Sequence, residues 1–225
     1  MFEQKFSGAR RLIAGSMFIA MGAGVGAPVA SAPPAAVSIA AVFAAVADGD
    51  EAAVRRAIQE GGAVDLRNDA GETLLFVAAE NGRTALARWL MAKGADARAT
   101  TAAGETPLHA AAVQGAADIV QDLLDHGANA NSLTRDRDAP LFWAAAAGHA
   151  GATRALLRRG AEVDHQDVKG LTALHGAAAS GHEDIVVLLI AGGARRDLRD
   201  RDGRTALELA RERGETGVVG LLEQR

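Results

Sequence analysis

The chain has 225 residues, no cysteine, no tyrosine, 4% aromatics and a formal net charge of −4. The missing thiols exclude a disulfide framework, a thiolate metal site and a cysteine nucleophile. The acidic balance argues against nucleic acid, which calls for a basic surface, and so few rings point to closely stacked helices with small side chains between them.

Lys5, Arg10 and Arg11 precede an apolar run from Leu12 to Met21, followed by a Gly/Ala/Pro stretch. Basic, then apolar, then small is the order of a secretory signal peptide, predicted here over residues 1–32. Ala30-Ser31-Ala32 offers small residues before a cut, but Pro33 follows it, and a residue without an N–H resists the geometry a protease needs. Arg10-Arg11 loosely matches a twin-arginine signal, with Ala9 in place of the usual polar residue. The competing expectation is a retained anchor, since no charge stands between Leu12 and Ala47. Against it, the strongly apolar part is about ten residues, whereas a span takes about 20. Both expectations place the body outside the cytoplasm, either periplasmic or secreted, or held at the membrane. Gly22-Ala23-Gly24-Val25-Gly26-Ala27 fits a dinucleotide pattern, but with no βαβ unit around it the match is accidental. Residues 33–36, with Pro33-Pro34, read as a short stiff linker. Without residues 1–32 the 24 bases lose Lys5, Arg10 and Arg11 and the 28 acids lose Glu3, leaving 21 against 27, or −6.

From residue 37 onward the chain repeats. Gly49, Gly82, Gly115, Gly148, Gly181 and Gly214 stand 33 residues apart. Leu75, Leu108, Leu141, Leu174 and Leu207 keep the same step, as do Ala78, Ala111, Ala144, Ala177 and Ala210, and Leu90, Leu123, Leu156, Leu189 and Leu222. Gly61, Gly94, Gly127, Gly160 and Gly193 form a second glycine series. A period of this length means one supersecondary unit copied and stacked. Six copies are delimited: a partial copy 1 (37–67), then copies 2 (68–100), 3 (101–133), 4 (134–166), 5 (167–199) and 6 (200–225).

Copy 3 shows the unit most clearly. Pro107 suits a first helical turn, where the missing N–H is not needed. Leu108, Ala111 and Ala112 then make an apolar stripe at helical spacing. Gly115 stops that helix by adopting positive φ, and Asp118 complements the dipole of the next. Ile119, Val120, Leu123 and Leu124 form the second apolar face, Gly127-Ala128 ends it, and Asn129 to Leu133 lead out as a turn or hairpin arm. Helices of about ten residues are marginal alone in water, so each copy needs its neighbours. The terminal copies must instead show water a face that inner copies bury; copy 6 carries Glu208, Arg211, Glu212, Arg213 and Glu223, while copy 1 is Ala- and Val-rich.

These residues resemble the ankyrin repeat. Thr106-Pro107-Leu108-His109 matches its opening motif, and Thr172-Ala173-Leu174-His175 and Thr205-Ala206-Leu207 match it in part. Gly127-Ala128-Asn129-Ala130-Asn131 and Gly160-Ala161-Glu162-Val163-Asp164 match its closing motif. The resemblance implies an all-α repeat solenoid, an ankyrin array of helix-turn-helix units with β-hairpin or turn fingers, over 37–225. It also implies that His109 and His175 bond backbone and threonine of neighbouring fingers, a structural role. No His-x-x-His or His-x-x-x-His spacing offers them a metal partner. His149 and His182 read as surface residues at helix starts. No Walker loop, G-x-S-x-G elbow or paired acidic motif occurs, so neither catalysis nor a cofactor is expected.

Copy 4 departs from the pattern. Arg137 replaces the turn glycine of Gly71, Gly104, Gly170 and Gly203, so a reshaped finger tip is expected. Ala139 replaces the threonine, and Phe142-Trp143 replace His109-Ala110. For those rings, packing in place of the lost Thr–His bonds is expected. Arg135-Asp136-Arg137-Asp138 is either a distinctive charged finger at the centre of the array or a local repacking.

In ankyrin arrays partners lie along the concave side, built from finger tips and first-helix ends. The resemblance carries that role to Glu80, Asn81, Val113, Gln114, Ala146, Ala147, Ala179, Ser180, Glu212 and Arg213 at helix ends. At the fingers it falls on Glu105, Arg135, Asp136, Asp138, Lys169, Leu171 and Arg204. Small, weakly apolar residues in the middle with charged ends suit a protruding helix or loop of another protein. The expected function is a non-catalytic, monomeric protein-binding scaffold. The alternatives are a membrane-tethered adaptor and a loosely specific, chaperone-like protector of an exported enzyme.

Overall fold

The computed structural model describes residues 38–224, and there the period becomes six helix pairs. The pairs are α1 (Ile39–Asp48) with α2 (Glu51–Gln59), α3 (Leu74–Glu80) with α4 (Thr84–Ala92), and α5 (Pro107–Gln114) with α6 (Ala117–Asp125). They continue as α7 (Pro140–Ala146) with α8 (Ala150–Arg158), α9 (Ala173–Ala179) with α10 (Glu183–Ala191), and α11 (Ala206–Arg213) with α12 (Thr216–Glu223). The predicted signal (1–32), the linker (33–36) and the first residue of copy 1 lie outside the described residues.

Four of the six first helices begin where a threonine or serine in extended conformation accepts an N–H three residues on. Ser38 does this for Ala41, Thr73 for Phe76, Thr172 for His175 and Thr205 for Glu208. At copy 3 the N–H of Thr106 donates to His109 Nδ1 at 3.1 Å. Ala139, at the same place before α7, has no side-chain oxygen to offer. The first helices stack on one another in one layer, and α4, α6, α8, α10 and α12 in a second. The leucine and alanine series fill the space between: Leu75, Leu108, Leu141 and Leu174 are buried, as are all five alanines from Ala78 to Ala210. Leu207, in the last copy, is only half-buried.

The fingers are turns. Among the described residues the one β-bridge is an isolated antiparallel pair, Arg67 with Thr73. Each finger closes on its root residue: the N–H of Asn68, Thr101, Thr134, Asp167 and Asp200 donates to the carbonyl four residues later, at 2.9 to 3.1 Å. The root side chain also accepts from the N–H of that fourth residue, as Asp167 Oδ1 does from Leu171 at 2.8 Å and Thr134 Oγ1 from Asp138 at 3.1 Å.

Copy 4 keeps this geometry, which corrects the expectation of a reshaped tip. Arg137 adopts φ 60°, among the described residues the sole non-glycine with positive φ, and its N–H bonds Thr134 O at 2.9 Å as the glycines do in their fingers. The root hydrogen bonds hold an arginine in a conformation that costs about 1 kcal/mol. Phe142 is buried as expected, while Trp143 is half-buried, its ring edge-on to His109 with centroids 5.3 Å apart.

Candidate functional site

Finger tips of copies 3 to 6 are joined by backbone hydrogen bonds, and first-helix ends by bonds from side chains to backbone. Arg135 N–H donates to Ala103 O, Val168 N–H to Asp136 O and Arg201 N–H to Lys169 O, each at 2.9 or 3.0 Å. At three helix ends, the residue after the positive-φ glycine (Gly82, Gly148 and Gly181) reaches back to the preceding copy. His149 Nε2 bonds Val113 O at 2.9 Å, His182 Nε2 bonds Ala146 O at 3.3 Å, and the Arg83 guanidinium donates to Ala47 O. These three side chains satisfy last-turn carbonyls that a helix leaves without partners. His149 and His182 are therefore not simple surface residues. Sequence reasoning missed this role, although the shared place after a repeating glycine was a signal for it.

His109 locks finger to helix. Its Nδ1 accepts the Thr106 N–H, so Nε2 carries the proton and donates to Asp138 O at 3.1 Å. His175 repeats this arrangement with Thr172 and Arg204 O. Burial pushes His109 down to about 4 and lowers His175 as well, more strongly than their carbonyl partners raise them. Both are neutral structural histidines at neutral pH, as the resemblance implied.

The predicted interface residues separate into two groups. Gln114, Arg135, Asp136, Lys169, Glu212 and Arg213 are exposed; Glu80, Asn81, Glu105, Val113, Ala147, Ser180 and Arg204 are partly exposed. Asp138, Ala146, Leu171 and Ala179 are buried, which removes them from the candidate surface. Asp138 and Leu171 are the finger residues that close on Thr134 and Asp167, and their side chains turn inward. Ala146 packs on the next copy, where a Cβ added to Gly176 would lie 3.0 Å from its own. Alanine in the middle of the row thus serves close packing of first helices, and the charged finger of copy 4 reduces to Arg135, Asp136 and Arg137.

The two ends of the row differ in charge balance. At the far end Arg204 joins Asp200 and Asp202 at 2.8 Å and Glu212 at 3.3 Å, so its charges are internally paired. At the near end Glu72 and Glu105, one period apart on adjacent fingers, face Glu80 in the last turn of α3. Asn68 donates to Glu72 at 2.7 Å and Thr101 to Glu105 at 3.3 Å. Burial, then the charges of Glu72 and Glu105, push Glu80 up to about 7. Glu105 is raised too, first by burial, with the Thr101 hydroxyl opposing and Glu72 and Asp138 adding to it. Among the described residues no group of three His, Asp or Glu side chains is arranged to hold a metal ion.

The family model for ankyrin repeats, which spans three copies, matches residues 41–134 and again 141–224. A search of the curated proteins found no match. Two successive three-copy matches agree with six stacked units and cover most of the sequence. The chain belongs to the ankyrin repeat family.

Proposed function

We propose that the chain is a non-catalytic scaffold that grips a protein partner along its row of finger tips and first-helix ends, outside the cytoplasm. Ankyrin repeats are generally protein–protein interaction modules, which supports the first half of this reading. The observation that carries it is a contrast between two positions of the period. Inside, one position is leucine in five copies: Leu75, Leu108, Leu141, Leu174 and Leu207. On the row, the same five copies carry Asn81, Gln114, Ala147, Ser180 and Arg213. Stacking demands sameness; a row whose side chain changes at every step, and whose charge changes at Arg213, gives one partner one register and penalises others. The row is also preorganised by its backbone links, so little ordering entropy is lost on docking.

Export rests on the order of charge and hydropathy in residues 1–32. The uncharged stretch from Leu12 to Ala47 favours a second reading, a membrane-tethered adaptor. No helix among the described residues is long and apolar enough to cross a membrane. Intact-mass analysis of the mature N-terminus decides between a cleaved and a retained segment.

The test of docking pairs Gln114→Arg and Ala147→Arg on the row with Arg154→Glu on the second-helix layer. We expect the row variant to lose a captured partner at unchanged helicity while the control keeps it. Capture unaffected by the row variant would overturn the docking row and favour a loosely specific protective module.

A further inference from the structure

Copies 3, 4 and 5 share one architecture but not one set of stabilising devices. First, Ala139 begins α7 without the side-chain cap that Thr73, Thr172 and Thr205 supply elsewhere. Second, Arg137 occupies the left-handed region at φ 60°, where the other fingers place glycine. Third, Thr153, wholly buried in α8, has a hydroxyl with no hydrogen-bond partner; the corresponding residues of copies 1, 3, 5 and 6 are Val54, Val120, Val186 and Val219. Fourth, Gly151 sits in the first turn of α8, a residue that weakens a helix. The last three are not repeated in copy 3, whose counterparts are Gly104, Val120 and Asp118, and where Ala139 offers nothing, Thr106 has a hydroxyl that bonds the His109 ring at 2.9 Å.

In a stacked array, stability is a sum of intrinsic unit terms and junction terms, so opening begins where the units are poorest. The junction terms on both sides of copy 4 are intact: its finger is bonded to Ala103 O on one side and to the Val168 N–H on the other. The deficit lies inside the copy.

We propose that copy 4 is the breakpoint of the array, the place at which α7 and α8 open while copies 2 and 3 remain folded. This does not depend on the partner or on where it docks. It makes the row extensible at its centre, so the two halves of the scaffold can part and re-close around an occupant.

The test is native-state hydrogen exchange on the full chain, resolved by helix. The expected result is exchange of the α7 and α8 amides about tenfold or more faster than those of α5 and α6, the factor that one missing cap or one orphaned hydroxyl supports. A variant combining Arg137→Gly, Ala139→Thr and Thr153→Val should close that gap. Should it fold poorly, Thr153→Val alone should narrow the gap. Equal protection of α5–α6 and α7–α8 in the natural chain would overturn the proposal. So would a gap that these substitutions leave untouched.

Discussion

Gly115 and the imidazole of His149 occupy adjoining space: a Cβ built on Gly115 would stand 2.4 Å from His149 Nδ1. The glycine does two jobs, turning the chain at φ 76° and admitting the side chain that bonds Val113 O from the next copy. Gly214 stands at the same point of the period, at φ 77°, with nothing within 4 Å of an added Cβ. Gly214→Ala should cost about 1 kcal/mol, the left-handed penalty alone. Gly115→Ala should cost about 1–3 kcal/mol more, because it also displaces His149. Urea unfolding of the two variants measures the difference, and equal losses would show that the imidazole moves aside freely.

Acid should weaken the array through His109. The folded value near 4 lies below the ordinary 6.5, so the unfolded chain takes up a proton that the folded chain refuses. The stability this neutral ring contributes is complete above about pH 6.5 and declines as pH falls toward 4, by about 3 kcal/mol in all. His109→Gln should lower stability at pH 7.5 yet lose less on going to pH 4.5. Denaturant midpoints at the two pH values give the comparison.

Glu80 works in the opposite direction. Its folded value near 7 is above the ordinary 4.5, so its favourable contribution is present below 4.5 and disappears as pH rises through 7. Glu80→Gln should therefore raise the melting temperature at pH 8 and leave it nearly unchanged at pH 4.5. Because the side chain is partly exposed, the gain is expected at up to about 1 kcal/mol. Glu72→Gln should bring the Glu80 carboxyl down, which carbon NMR of the side chain reads directly.

Thr153→Val should stabilise the chain by about 1 kcal/mol, since it removes a buried hydroxyl without a partner and restores the residue used in four other copies. Chemical denaturation checks it; a loss of stability would mean that the hydroxyl is held by something the valine cannot replace.

The periodic residues made the stacking legible in advance. Leu108, Ala111 and Leu123 could be assigned to a core because their spacing is helical within a copy and constant between copies. Side-chain direction on the fingers was less accessible: Asp138 and Leu171 share a position with Glu105 and Arg204, yet two turn inward and two reach the surface. Composition does not encode that choice; it depends on what the next copy offers beneath. At Arg137 a left-handed penalty of about 1 kcal/mol stands against several hydrogen bonds anchored at Thr134, and the bonds prevail. The partners of His149 and His182 are carbonyls, which have no residue signature, so the one trace in the sequence is the shared place after a repeating glycine.

The links between copies have constant offsets. His109 and His175 each reach a carbonyl 29 residues ahead, and His149 and His182 each reach one 36 residues behind. Excising a whole unit of 33 residues would hand each severed histidine donor a backbone carbonyl at the same offset. A deletion of any other size would leave helices facing fingers. The molecule can therefore lengthen or shorten only in quanta, and each quantum added or removed alters its reach without disturbing how the remainder is joined.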